Sequence, residues 1–96
     1  MKSKVFSVTQ INTYIKRMFQ SDYALRRISI KGQVSNCKYH SSGHIYFSLK
    51  DEESQISCVM FASVRYNGLQ FELEDGQEVI VDGNVSVYER GGSYQL

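Results

Sequence analysis

The alternation of apolar and polar side chains in the middle of the chain is the feature that most constrains its fold. Ile28, Ile30 and Val34 alternate with polar residues in the first segment of this kind. The same two-residue period returns over 44–50. Such a period predicts a strand with one face buried and the other in water. The sequence therefore predicts a domain built mainly from β-strands.

The residues that precede these strands follow a helical period instead. Ser7 and Gln10 are spaced as in a capping box, in which each side chain binds the backbone N–H of the other residue. We therefore predict a helix over about 7–20, with an apolar stripe that packs on the rest of the domain. The stripe consists of Val8, Ile11, Ile15, Met18 and Phe19.

Further strands follow along the chain. The alternation predicts a third strand over 55–61, a short helix or irregular crossover over 62–73, a fourth strand over 79–87 bent at Gly83, and a fifth that starts at 93. Three strands, a crossover and two more strands are the element order of an OB-fold, a five-stranded Greek-key barrel. We expect one OB-fold domain over 1–96, with its barrel over about 26–96, cut from a longer polypeptide.

Charge is divided unequally between the two halves of the chain. Positions 1–50 carry nine Lys or Arg against one acid, which leaves +8, whereas positions 51–96 carry two against nine, which leaves −7. The total of +1 therefore conceals a basic half that suits a polyanionic partner. Folding can mix these charges, because the fourth predicted strand pairs with the first.

Rings and cations alternate with the predicted core residues. If Phe47 points inward, then Tyr46 and Lys50 point outward on the same strand. Rings on which bases stack and cations that follow phosphates are the parts of single-strand binding sites. We therefore predict a nucleic-acid-binding surface. Its candidate residues are Arg27, Lys31, Lys38, Tyr39, His40, His44, Tyr46, Lys50, Tyr88 and Arg90.

Two predicted loops extend this surface. A polar loop over 36–43 carries the candidates at 38–40, and Tyr88 and Arg90 flank the last hairpin. OB-folds bind their ligands between these first and last loops. Ordinary alternatives stay open, since an outward Tyr can simply pack on a neighbouring strand and a Lys can simply solubilise a surface.

Neither a metal site nor a catalytic site is predicted. Cys37, His40 and His44 lie close in sequence, but three ligands on a turn without a fourth match tetrahedral zinc poorly. Cys37 and Cys58 are interpreted as reduced thiols of a cytoplasmic protein, and no apolar run approaches the ~20 residues of a membrane span. The chain by itself is expected to be non-catalytic and to need no cofactor.

Five short motifs occur in an order that resembles a known family. They are GQVSN at 32–36, GHIYFSLKD at 43–51, CVMF at 58–61, DG at 75–76 and YERGGSYQL at 88–96. Together they resemble the N-terminal domain of the large subunit of bacterial exodeoxyribonuclease VII. Gln33 is a departure, because the family usually has Glu there.

The resemblance implies an OB-fold that holds single-stranded DNA for a nuclease that cuts it into oligonucleotides. The catalytic domain, and the region that recruits the small subunit, would follow residue 96. The residues Ser35, Asn36, His44, Tyr46 and Lys50 fall within the matching motifs. Two other interpretations stay open: an RNA-directed OB module, such as an anticodon-binding domain, and a module that docks on another protein or on another copy of itself.

Overall fold

A computed structural model of the chain describes residues 4–68 and 71–96, except for the side chains of 66–68. The predicted crossover includes positions 69 and 70, which lie outside the described residues. The helices are α1 (Val8–Ser21), α2 (Tyr23–Arg26) and α3 (Ala62–Gly68). The strands are β1 (Ile28–Tyr39), β2 (Ile45–Lys50), β3 (Gln55–Met60), β4 (Glu78–Gly83), β5 (Ser86–Tyr88) and β6 (Ser93–Gln95).

The strands form an antiparallel sheet in the order β3-β2-β1-β4 and a separate β5-β6 hairpin. β1 is long because it serves two neighbours in succession. Its first half, 28–33, pairs with β4, and its second half, 33–39, pairs with β2. The mainly β architecture and the order of the elements are thus as predicted.

The core lies under the inner face of the sheet. Ile45, Phe47 and Leu49, which alternate along β2, are all buried, as the two-residue period predicted. The remaining buried apolar residues of this cluster are Val34, Cys58, Leu73, Val85 and Leu96. The inward side of β2 is therefore the centre of the domain, and its outward side is left to solvent.

The hairpin meets the sheet at the free edge of β3. The backbone N–H of Leu96 donates to the carbonyl of Ser57 at 3.0 Å, and the N–H of Val59 donates to the carbonyl of Leu96 at 3.1 Å. Over the described ranges 4–68 and 71–96 the sheet is not closed into a five-stranded barrel. Of the predicted barrel, the structure shows a four-stranded antiparallel sheet with a hairpin at its edge.

Helix α1 begins as predicted, with both hydrogen bonds of the capping box. The Gln10 backbone N–H donates to Ser7 Oγ at 3.0 Å, and the Ser7 N–H donates to Gln10 Oε1 at 2.8 Å. The predicted packing of its apolar stripe is wrong in part. Phe19 packs against the core, but Val8 and Met18 are 76% and 56% exposed. The helix is held instead by polar side chains on an adjacent face, which bind Glu89.

Two element boundaries differ from the sequence prediction. The segment 36–43 is not all loop, because β1 continues to Tyr39. A register shift between Ser35 and Lys38, with a positive φ of 51° at Asn36, interrupts the alternation and conceals the strand. The predicted fourth strand over 79–87 is divided after Gly83, where the N–H of Val85 donates to the carbonyl of Leu25 instead of to a strand.

Candidate nucleic-acid interface

The outward side chains of β1, β2 and β3 lie in rows that cross the sheet. Tyr46 on β2 stands opposite Lys38 on β1 and Val59 on β3. Residues directly opposite on one face have Cβ atoms only about 4.5–5.5 Å apart. The predicted ring and one predicted cation therefore lie side by side. The other two rows are Ser35, Ser48 and Ser57, and then Gln33, Lys50 and Gln55.

Four aromatic rings form a continuous group at the N-terminal end of β2. We call His40, His44, Tyr46 and Phe61 the ring group. The centroid of Tyr46 is 5.9 Å from that of His40 and 6.5 Å from that of His44, and both pairs meet edge to face. His44 meets Phe61 in the same way at 5.2 Å. Tyr46 is 43% exposed and Phe61 is 51% exposed, so both offer ring surface to solvent.

Backbone hydrogen bonds orient both imidazoles of the ring group. The N–H of Ala62 donates to His44 Nδ1 at 3.0 Å, and the N–H of Ser42 donates to His40 Nδ1 at 3.1 Å. The side chains of His40 and Ser42 are also within hydrogen-bond distance, 2.8 Å. Because Nδ1 of each ring accepts a hydrogen bond from a backbone N–H, the neutral form of each ring carries its own proton on Nε2.

Tyr39 lies on the other side of β1 from this group. It pairs with Ile45, whose side chain is buried, and its hydroxyl donates to the carbonyl of Leu73 at 2.9 Å and accepts from the Leu73 N–H at 2.8 Å. The guanidinium of Arg65 lies 5.0 Å from the centroid of the Tyr39 ring and donates to the carbonyl of Gly43 at 3.2 Å. Tyr39 therefore ties the end of β1 to the segment before β4.

Two of the predicted cations lie beside acidic residues. Lys31 and Lys50 line a shallow surface groove, which we call the acidic groove. Its other lining residues are Gly32, Asp51, Glu52, Glu53 and Glu78. Hydrogen bonds from the backbone N–H groups of Glu53 and Ser54, each 2.9 Å long, lower the pKa of the Asp51 carboxyl. The negative charge is therefore concentrated at the C-terminal end of β2, whereas the ring group lies at the N-terminal end.

The remaining candidates lie apart from these two regions in the chain. Arg27 is exposed and links α2 to β1. Tyr88 ends β5 and is half exposed, and Arg90 lies exposed in the turn before β6. Glu89, between them, holds this turn against α1. The structure thus places Tyr88 and Arg90 on a hairpin anchored by the N-terminal helix.

The sequence argument missed Phe61 and Arg65. Apolar residues occupy consecutive positions at the end of β3, a pattern that predicts a strand covered on both faces and not an exposed ring. The two-residue alternation of side chains could have identified Phe61, because it stands two residues beyond Val59, which points outward. Arg65 had no comparable signal, because its position over Tyr39 depends on how α3 packs.

Both thiols are free and partly or fully buried. Burial raises the pKa of Cys58 to about 11. Partial burial also raises the pKa of Cys37, and the Asp75 carboxylate adds to that rise. Within the part of the chain that the structure describes, no three His, Cys, Asp or Glu side chains gather in a way that could hold a metal ion. No helix among those residues is long and apolar enough to cross a membrane.

Comparison with known proteins identifies the fold family. Residues 6–96 match the family model described as an OB-fold nucleic acid binding domain. The chain is 66% identical over 93 residues to an exodeoxyribonuclease 7 large subunit of Lachnoclostridium phytofermentans, covering 97% of this chain and 23% of that protein. Proteins of the same name from Clostridium botulinum strain Loch Maree and Clostridium perfringens strain SM101 are 56% and 47% identical over the whole chain.

The matched region is short compared with these relatives. The chain spans about a quarter of their length, 24% for both clostridial proteins. The family model nevertheless covers nearly all of the chain. The chain therefore belongs to the family of OB-fold nucleic-acid-binding domains, and the resemblance of its motifs to the N-terminal domain of exodeoxyribonuclease VII large subunits is confirmed.

Proposed function

We propose that this domain binds single-stranded DNA across the outer face of β1, β2 and β3. The observation that carries the proposal is the exposed ring of Tyr46, which stands opposite Lys38 in the middle of that face. A base can stack on the ring while the ammonium group contacts a neighbouring phosphate. Such contacts require unpaired bases, so a single strand is favoured over a duplex.

The candidate residues then have distinct roles. Tyr46 stacks on a base, with His40 and His44 beside it as hydrogen-bond donors through Nε2–H. The cations contact phosphates, and Tyr88 and Arg90 supply a second wall of the binding cleft. Tyr39 supports the end of β1 from the inner side of the sheet. The phosphate-binding cations are Arg27, Lys31, Lys38 and Lys50.

We also propose that the sheet and hairpin are part of a five-stranded barrel. Leu96 already shares two backbone hydrogen bonds with β3, and Gln95 pairs with Ser86 on the other side of the hairpin. Continuing β6 in the same direction would bring it between β3 and β4. This is how the five strands of an OB-fold close.

In the complete protein the domain would present DNA to a separate catalytic domain. The relatives are named as exodeoxyribonuclease large subunits and are about four times as long as this chain. A non-catalytic module that captures the strand raises the local concentration of substrate at a linked active site. We place the complete protein in the cytoplasm, with a small subunit bound through regions outside this chain.

Titration of a fluorescent thymidine oligonucleotide tests the proposal. We expect Tyr46→Ala to weaken binding by about 1–3 kcal/mol, the usual loss for one stacked base. Tyr14→Ala is a matched control, because Tyr14 is 56% exposed on α1, outside the proposed face. Its affinity should equal that of the unchanged protein.

Salt dependence tests the role of the cations in the same assay. Affinity should fall between about 50 mM and about 200 mM salt, and Lys38→Ala should reduce the slope of log K against log salt by about 0.7. Unchanged affinity after Tyr46→Ala combined with Lys50→Ala would contradict the proposed surface. Equal or better competition by an RNA of the same sequence would instead favour the RNA-directed alternative.

A further inference from the structure

Phe61 is an exposed aromatic residue at the end of the CVMF motif, and it is not among the candidate binding residues predicted from the sequence. It follows the last residue of β3 and is 51% exposed. An exposed Phe is common by itself. Its edge-to-face contact with His44, which in turn touches Tyr46, makes it part of one ring group instead of an isolated residue.

We propose that Phe61 provides a second base-stacking ring beside Tyr46, and that His44 is the positioning residue that fixes the two rings relative to each other. The inference rests on the proposed function, because it assigns further residues to the same surface. It identifies the ligand of Phe61 as an unpaired nucleobase next to the base on Tyr46.

The geometry of the sheet gives the two rings a suitable spacing. Tyr46 stands opposite Val59 on β3. Phe61 lies two residues beyond Val59 in the sequence, which is the position of a diagonal neighbour of Tyr46. Diagonal neighbours lie about 7–8 Å apart. This is about twice the ~3.4 Å rise of a stacked strand. The two rings therefore suit successive bases that have been unstacked from each other.

His44 contacts both rings and is held in place by a backbone hydrogen bond. It immediately precedes β2, and its Nδ1 accepts the backbone N–H of Ala62 at 3.0 Å. Ala62 is bonded directly to Phe61, so this hydrogen bond joins the start of β2 to the residue that carries the second ring. The imidazole lies nearly perpendicular to both rings, with centroid distances of 5.2 Å to Phe61 and 6.5 Å to Tyr46.

Charge favours this end of the sheet for DNA. Lys38 stands opposite Tyr46, whereas the opposite end of β2 leads into the acidic groove with Asp51, Glu52, Glu53 and Glu78. The carboxylates of the acidic groove weaken the attraction of Lys31 and Lys50 for phosphates, whereas Lys38 lies in a different row of the sheet. The ring group therefore lies at the end of the outer face that is farther from the acidic groove.

Replacement of Phe61 tests the second ring. We expect Phe61→Ala to weaken binding of a thymidine oligonucleotide by on the order of 10-fold, whereas Phe61→Tyr keeps the affinity of the unchanged protein. Phe71→Ala is a matched control, because Phe71 is 54% exposed and lies outside the ring group. Its affinity should not change.

An oligonucleotide that contains 2-aminopurine reports stacking separately from affinity. At saturating protein, its fluorescence should be quenched by the unchanged domain and recover in part with Phe61→Ala. Full quenching and full affinity with Phe61→Ala would overturn the inference. If Tyr46→Ala weakens binding in the same experiment, the proposed function survives that result; if the unchanged domain binds no DNA, the proposed function itself fails.

Two variants of His44 separate its hydrogen bond from its ring. His44→Asn keeps an acceptor at the position of Nδ1, and His44→Phe keeps a ring but removes the acceptor. If the hydrogen bond from Ala62 to His44 positions Phe61, His44→Asn should retain more affinity and more quenching than His44→Phe, and His44→Phe should lose as much affinity as Phe61→Ala. The opposite ranking would overturn the positioning role. The quenching measured with Phe61→Ala decides the first part of the inference even if neither His44 variant folds.

Discussion

At the scale of single residues, Gly32 determines how close β1 and β2 can approach. It is buried where the pairing of β1 passes from β4 to β2. A Cβ atom at this position would lie 3.2 Å from the Cβ of Leu49 and 3.2 Å from the carbonyl oxygen of Lys50. The second of these atoms belongs to the backbone of a central strand and cannot move aside easily.

We therefore predict that Gly32→Ala destabilises the domain by about 1–3 kcal/mol, the usual cost of overfilling a packed site. Urea denaturation followed by circular dichroism measures this loss. Gly83→Ala is the control within a neighbouring strand, because a Cβ there would lie at an ordinary 3.7 Å from Leu96. If both variants lose the same stability, close approach at Gly32 is not the cause.

Residue-scale prediction from the sequence succeeded where side-chain direction alone was needed. Successive residues of a strand point to opposite faces, so the burial of Phe47 and the exposure of Tyr46 both follow from the period. The direction of Tyr39 could not be obtained in this way. The register shift after Ser35 changes which face each later residue of β1 occupies.

At the scale of elements, one carboxylate connects the N-terminal helix to the β5-β6 hairpin. Glu89 accepts hydrogen bonds from Lys16 Nζ at 2.9 Å and from Thr13 Oγ1 at 3.2 Å, and its backbone carbonyl accepts one from Asn12 at 3.1 Å. The hydrogen bond from Lys16 is the main cause of the lowered pKa of Glu89, followed by that from Thr13. The helix is thus docked through charge and hydrogen bonds.

This lowered pKa gives the docking a predictable pH dependence. A carboxyl group with a lower pKa in the folded state adds stability above its ordinary pKa of about 4.3 and loses it as the pH falls through the lowered value. We expect Glu89→Gln to lower the melting temperature at pH 7, with a difference that shrinks below about pH 4.

Thermal melts over this pH range, followed by circular dichroism at helical wavelengths, provide the measurement. Glu52→Gln is the control, because it removes a carboxylate in the turn between β2 and β3, away from the helix. An equal difference between Glu89→Gln and the unchanged protein at pH 7 and pH 3 would show that its charge does not hold α1.

The sequence predicted the existence of α1 but not how it packs. Its capping box is local, so the start of the helix could be predicted from Ser7 and Gln10 alone. Its apolar stripe suggested burial, yet Met18 is exposed while Lys16 makes the long-range contact. Contacts between positions 16 and 89 are set by the path of the chain, which periodicity within one helix does not contain.

At the scale of the whole molecule, folding mixes the basic and acidic halves of the chain unevenly. Pairing of β1 with β4 brings Asp82 opposite Ser29, to which it is hydrogen-bonded, and Glu78 opposite Gln33. The acidic groove places further carboxylates around Lys31 and Lys50. Lys38, beside Tyr46, belongs to a different row of the sheet. The outer face therefore has a cationic and aromatic end and an acidic end.

This arrangement predicts that carboxylates in the acidic groove oppose DNA binding. Glu52→Gln combined with Glu53→Gln should tighten binding of the oligonucleotide several-fold at about 50 mM salt, and by less at about 200 mM, because salt screens the repulsion. Asp51 is left unchanged because its carboxylate holds the turn.

Glu72→Gln combined with Glu74→Gln changes the net charge equally and serves as the control. These residues flank the buried Leu73, which Tyr39 binds on the inner side of β1. If the position of the charge matters, the change at Glu52 and Glu53 should tighten DNA binding more than the change at Glu72 and Glu74. Identical gains from the two pairs would mean that only total charge matters.

The sequence by itself determined which strand residues face the core, where the helix begins, and which family the chain resembles. These properties are local, because backbone period and capping depend on residues that are close along the chain. Only the tertiary structure decided that Phe61 joins His44 and Tyr46, and that Lys31 and Lys50 lie beside carboxylates. Those neighbours depend on strand register, in which a shift of one residue exchanges the two faces of a strand.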